Sequence, residues 1–250
     1  MDTAKIINDA CAGSFSGVSA WLSSGTAQEE AIDKVLHEAA ARDDVSIVSL
    51  LLKAGANPYY TDDQGRTAFN RAASNGLSAL ALMTEAAFRD TQKPPTQRRW
   101  KDYDLNTPSG AYGSTLITYA AKVSSAPLVA EMTHAGADIT IVNGSGWTLL
   151  HCAAVMPGRE DVLKDLVQTF KKQGYADMIA ALSTHVYETI YNGNKVVFGE
   201  GLTALELCEA RIKQDPACPQ ELGAYRAVLT LPSGPVLSHR PAGKAQGPLG

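Results

Sequence analysis

The sequence predicts an all-α solenoid of stacked helix-turn-helix units, interrupted by an inserted loop and a β-hairpin. Three observations predict it. From Ala39 and from Ala120, the offsets to Val48 or Val129, to Leu51 or Met132, and to Gly55-Ala56 or Gly136-Ala137 are identical. Ala39 to Ala72 is 33 residues, and Ala120 to Ala153 is 33 again. A Gly-x-Thr start recurs at Gly65-Arg-Thr67, Gly146-Trp-Thr148 and Gly201-Leu-Thr203. Self-similarity at this period marks units that cannot bury their apolar faces alone and must stack.

Each element of the unit has a physical reason. Ala-Ala lets one helix approach its neighbours closely. The Val/Leu/Leu set at helical spacing gives a second helix one apolar face. Gly after its last turn permits a left-handed cap. Asp62-x-x-Gly65 reads as a tight turn, and Thr67 and Thr148 suit the start of the next helix by accepting a backbone N–H bond. A degenerate first copy runs from Ile6-Ile-Asn-Asp-Ala10-Cys11 through Trp21-Leu22 to Gly25.

Composition bounds the function. The chain has 250 residues, 45% hydrophobic and 19% charged, which is ordinary globular usage with room for a well-buried interior. The net charge of −4 gives no support for nucleic-acid binding. No apolar run approaches a membrane span. The first residues carry neither a basic region nor an apolar core, and Cys11, Cys152, Cys208 and Cys218 are scattered, so a reduced, cytoplasmic setting is expected. A leader ahead of residue 1 would make it periplasmic.

Thr148-Leu-Leu-His151-Cys-Ala153-Ala154 resembles the T-P-L-H-x-A-A signature of the ankyrin repeat. Gly55-Ala56-Asn57 and Gly136-Ala137-Asp138 resemble that family's repeat terminus. The resemblance spans about 4–230, in six repeats, and implies a fold of helix pairs joined by finger-like turns. It implies a non-catalytic module that binds a protein partner, a monomer when free, with no cofactor, nucleic acid or membrane. The resemblance also covers inhibitors and self-protection proteins that occlude a bacterial toxin or cell-wall hydrolase, and secreted effectors.

Departures from the period locate two insertions. Ala72 to Ala120 is 48 residues and Ala153 to Cys208 is 55. The first insertion, near 89–113, mixes Pro94-Pro95 and Arg98-Arg99 with Trp100, Tyr103 and Tyr112. It reads either as a partner-binding loop with aromatic anchors or as a loop folded back, Trp100 covering a helix end. The second, near 171–199, holds Asn192-Gly193 between β-favouring runs, a hairpin signal. It serves binding through Tyr191 and Lys195, or packs on the last repeat. The array is expected over 1–231, and 232–250, rich in Pro and Gly, as a disordered tail.

Chemistry-bearing motifs are absent. There is no phosphate-cradling glycine loop, no nucleophile elbow and no paired His-Cys spacing. His37 and His151 occupy the family's histidine position, where the resemblance implies a hydrogen bond to a neighbouring turn. Cys152 beside His151 makes a poor dyad, because adjacent helix residues do not face each other. Acidic pairs such as Asp43-Asp44 read as solvated turns.

The family pattern places partner-facing residues on the fingers and just after the Ala-Ala pairs. Carried over, these are Asp63, Gln64, Arg66, Ser74 and Asn75, then Tyr112, Ser114, Lys122 and Val123. Ser145, Trp147, Val155 and Met156 follow, and Glu200, Leu202 and Arg211 close the series. With Trp100, Tyr103, Tyr191 and Lys195 from the insertions, they form the expected interaction surface. Trp147 reads as an exposed anchor or as packing against the second insertion.

Overall fold

The structure, a computed structural model, describes residues 12–75, 77–110, 112–144, 146–179, 187–191, 194–198 and 201–214, with residues 6, 8 and 9. Residues 6, 8 and 9 are helical; the first helix with described bounds is α1 (Phe15–Ser23), its start held by the Ser14 hydroxyl accepting from the Gly17 amide. Pairs follow: α2 (Glu29–Ala41) with α3 (Val45–Lys53), α4 (Ala68–Asn75) with α5 (Leu77–Thr91), α6 (Leu116–Val123) with α7 (Ala126–His134), and α8 (Leu149–Ala154) with α9 (Glu160–Gln173). Helix α10 (Ala204–Gln214) continues the series.

The pairs stack in two layers. In the inner layer α2 packs on α4, α6 on α8, and α8 on α10; in the outer layer α1 packs on α3, α3 on α5, and α7 on α9. Ala39, Ala72, Ala120 and Ala153 have no exposed surface, as their role as close-approach positions requires. Between α4 and α6 the Phe69 and Tyr119 rings stack at 5.1 Å. The outer helices contribute Val48, Leu51, Leu80, Met83, Val129, Met132, Leu163 and Leu166 to one continuous core.

The capping chemistry is repeated with different side chains. The Thr148 hydroxyl accepts from the third helical amide, while His151 Nδ1 accepts from the Thr148 amide at 3.2 Å. Asn70 performs the same reciprocal exchange with Thr67, and Glu206 with Thr203. All three are capping boxes, which satisfy two orphan donors at once. At the other end, Gly55 (φ +100°) follows α3 and Gly136 (φ +96°) follows α7, each in the left-handed region that a Cβ disfavours.

The first insertion folds back. Helix α5 overruns to Thr91, a 3₁₀ turn spans Pro95–Gln97, and the chain then returns across the ends of the outer helices. The buried Asp90 carboxylate holds the return by accepting from the Arg99 amide (2.9 Å), the Trp100 amide (3.1 Å) and Lys93 Nζ (2.6 Å). The Trp100 indole N–H donates to the Ala56 carbonyl at 3.1 Å, and Tyr103 stacks on Tyr59 at 4.0 Å. Further on, Asn106 accepts from the Asp138 amide at 2.8 Å and donates to the Gly136 carbonyl at 3.1 Å.

In the second insertion, β1 (Tyr187–Tyr191) and β2 (Asn194–Phe198) pair antiparallel, Tyr187 opposite Phe198 and Tyr191 opposite Asn194. The expected Asn192-Gly193 turn lies outside the described residues, as does the expected tail over 232–250. Strand β1 comes against α4 and β2 against α10. No helix among the described residues is long and apolar enough to cross a membrane.

Candidate interaction surface

The fingers precede the inner helices and share one geometry. The Asp62 amide donates to the Arg66 carbonyl and the Asn143 amide to the Trp147 carbonyl, closing turns around Gly65 and Gly146. The side chain of the first residue completes each turn: Asp62 Oδ1 accepts from the Gln64 and Arg66 amides, and Asn143 Oδ1 from the Trp147 amide. Neighbouring fingers are joined where the Gly144 amide donates to the Tyr112 carbonyl at 2.8 Å. Asp63, Gln64 and Tyr112 stand exposed on this rail, Tyr112 with 58% of its surface accessible. Arg66 is half-buried, its guanidinium turned back onto the Asp62 carboxylate at 2.9 Å.

The opposite ends of the inner helices form a groove. Leu77, Ser78 and Ala81 of α5 line one side, Lys122 and Val123 of α6 the middle, and Met156, Pro157 and Arg159 the other side, around about 360 Å³. The groove thus crosses three consecutive repeats. It brings together three expected partner-facing positions, Lys122, Val123 and Met156. With eight residues in α4 and α6, the finger rail and the groove lie about 12 Å apart. Lys122 Nζ sits 5.6 Å from the centre of the Trp147 ring, and Arg159 donates to the Ser124 carbonyl at 2.7 Å. The cations are therefore held over apolar walls by contacts within the fold.

Several expected site residues belong to the interior instead. Trp147 is 1% exposed, its indole against His151 at 6.3 Å and under Lys122, so it is a core residue and not a finger anchor. Trp100 is 7% exposed and fixed to Ala56, so the first insertion covers a helix end and the indole is not a projecting anchor. Ser114 is buried because its carbonyl closes the third finger by accepting from the Ser109 amide. Val155 is buried at the end of α8. Tyr103 is half-buried against Tyr59, and Leu202 is half-buried with its carbonyl accepting from His151 Nε2 at 2.9 Å. The side chains of Ser74, Asn75, Tyr191, Lys195 and Arg211, and Ser145 and Glu200 altogether, lie outside the described residues.

Sequence reasoning missed Leu77, Ala81, Pro157 and Arg159 as groove walls. The signal was available for Leu77, an apolar residue placed between the Ala-Ala pair and the outer helix's own apolar set. Asp43 and Asp44 were also misread as solvated. Asp43 Oδ1 accepts from the Ala79 amide of the next repeat at 2.6 Å, and Asp44 Oδ1 caps α3 at Ile47.

The titratable interior is structural. Burial pushes the Cys152 thiol up to about 11, so it holds no thiolate at neutral pH. Burial depresses His37 and His151 below the usual imidazole range, and each Nε2 is engaged at a neighbouring carbonyl, Tyr60 or Leu202. Among the described residues no cluster of His, Cys, Asp or Glu is placed to hold a metal ion.

A family model of ankyrin repeats in many copies matches residues 36–80, and a model of the single ankyrin repeat matches residues 145–181. No curated protein matches the chain. The matched segments cover α3 and α4 in one case and α8 and α9 in the other, and the same capping, glycine and alanine geometry runs between and beyond them. Over these two segments, 36–80 and 145–181, the chain carries ankyrin repeats.

Proposed function

We propose that this chain is a non-catalytic module that holds a protein partner along its inner helices, between the finger rail and the groove. The observation that carries this reading is the groove itself. Three repeats contribute apolar walls to it, Leu77 remains 37% exposed, and Lys122 and Arg159 rim it. A rigid, preformed surface keeps the ordering cost of association low. Met156 adds adaptable apolar contact, and Tyr112 extends the surface at the finger end. Ankyrin repeats are in general protein-interaction modules.

Occlusion of an enzyme's active site needs an element that projects. The first insertion is strapped to the repeats through Asp90, and the groove is a surface and not a projection, which favours the adaptor reading over the inhibitor reading. The test is affinity capture with wild type and with Met156→Asp, followed by calorimetry on the captured partner. Loss of a central apolar contact is expected to weaken binding about 30-fold, or about 2 kcal/mol, with the melting curve little changed. Equal affinity of the two proteins would remove the groove from the interface.

A further inference from the structure

The first insertion builds a second feature, on the side of the outer helices. Where the chain turns back after α5, a cavity of about 200 Å³ opens between α3, α5 and the returning strap. Leu52, Leu82, Ala86 and Trp100 give it an apolar floor, and Lys53, Lys93 and Arg99 stand around it. Arg99 is fixed at the rim, its guanidinium donating to the Leu52 carbonyl at 2.6 Å. Asp90 is the one carboxylate lining the cavity, and its oxygens are taken up by Lys93 Nζ and the Arg99 and Trp100 amides. Among the described residues Lys53 and Arg99 form no ion pair. Three cations thus line the cavity against the one carboxylate of Asp90, and Arg98 and Lys101, with Asp102, lie close to Trp100 in the sequence of a protein whose net charge is −4.

We infer that this cavity is a docking site for an acidic peptide segment that inserts one apolar side chain. The volume lies below the roughly 300–1,000 Å³ of small-molecule pockets and suits a single anchor. An apolar floor favours a leucine-like or phenylalanine-like side chain in it. The cationic rim selects flanking carboxylates, contributing more to encounter and choice of partner than to raw affinity. One insertion supplies both parts: Trp100 for the floor, Lys93 and Arg99 for the rim. The site is separate from the inner-helix groove, and either can stand without the other.

The test is fluorescence anisotropy on the full chain at low salt, with a labelled peptide of alternating Asp and Glu around one central Leu. Saturable binding is expected that weakens with salt, since exposed charges are screened beyond about 10 Å at 0.1 M. Lys53→Glu is expected to weaken it about fivefold. Replacing the central Leu by Ser should weaken it about tenfold. Lys122→Glu, in the other groove, should leave it unchanged. A melting curve on each variant confirms the fold; Lys53 is exposed. The inference is overturned by absence of saturable binding, by equal binding after Lys53→Glu, or by loss of binding with Lys122→Glu. It is also overturned if a single-stranded oligonucleotide of equal charge binds as tightly, which would make the patch a polyanion site.

Discussion

At the scale of single residues, the structure turns apparent surface chemistry into internal fastening. Trp147 shows this most clearly. A finger position in the family pattern pointed outward, whereas the indole is buried between Lys122 and His151. Trp147→Ala is therefore expected to cost about 3–5 kcal/mol of stability, the usual range for a buried aromatic truncated to alanine. Urea denaturation measures it, and an unchanged midpoint would place the ring outside the core. Asp33 gives a pH signature. Burial, the largest influence, raises its carboxyl to about 6, although it accepts from the Asn57 amide at 2.6 Å. A carboxyl raised in the folded state stabilises the fold at low pH and loses that contribution as pH climbs from about 4 to about 6. His37 and His151, depressed by burial, act oppositely: their contribution is complete above about 6.5 and is lost as pH falls. Asp33→Asn keeps a carbonyl for the Asn57 amide without the charge. Its stability relative to wild type is expected to rise by at most about 3 kcal/mol between pH 4 and pH 7. Denaturant midpoints at the two pH values decide it, and an equal gap at both would contradict the burial of the charge.

At the scale of elements, what was legible in the sequence was whatever repeats. The Ala-Ala contacts, the Val/Leu/Leu faces and the Gly caps follow from local periodicity, and each lies where the offsets place it. The His position was legible too, because its partner, the next finger, is another copy of the same unit. The first insertion was legible as a departure from the period, but its direction was not. Whether Trp100 points to solvent or to Ala56 depends on Asp90, ten residues earlier, gathering two amides and a lysine. No spacing rule encodes that long-range cluster. The inner groove was half legible: Lys122, Val123 and Met156 follow from alignment, whereas Leu77 and Arg159 reach it from the starts of outer helices. The Asp90 cluster makes a prediction at this scale. Asp90→Asn halves the acceptor capacity and removes the charge from three hydrogen bonds, at an expected cost of about 2–3 kcal/mol. Hydrogen exchange reads it locally: the Arg99 and Trp100 amides are expected to exchange far faster, and the amides of α8 to change little. Unchanged protection at Arg99 and Trp100 would mean that the strap is held by Trp100 alone.

At the scale of the whole molecule, the strap alters how the array holds together. In a plain solenoid each repeat touches only its neighbours, so stability is nearly a sum of nearest-neighbour interfaces. Here the returning chain bonds to Leu52 and Ala56 at the end of α3, and to Gly136 and Asp138 after α7. It thus joins the second repeat to the fourth along one edge, passing over the third. Helix α1 and helix α10 lie beyond its reach in the chain. The consequence is cooperativity beyond what neighbour contacts supply. In wild type, loss of helix and change in tryptophan fluorescence are expected to coincide in a single urea transition. In the double variant Trp100→Ala, Asn106→Ala the edge tie is cut, and the remaining indoles, Trp21 in α1 and Trp147 before α8, report opposite ends of the array. Fluorescence and circular dichroism are then expected to separate, with a shallower overall slope, because the slope scales with the surface exposed in one cooperative step. A transition that only moves to lower urea, with both probes coincident and the slope retained, would show that the strap contributes stability without coupling the repeats.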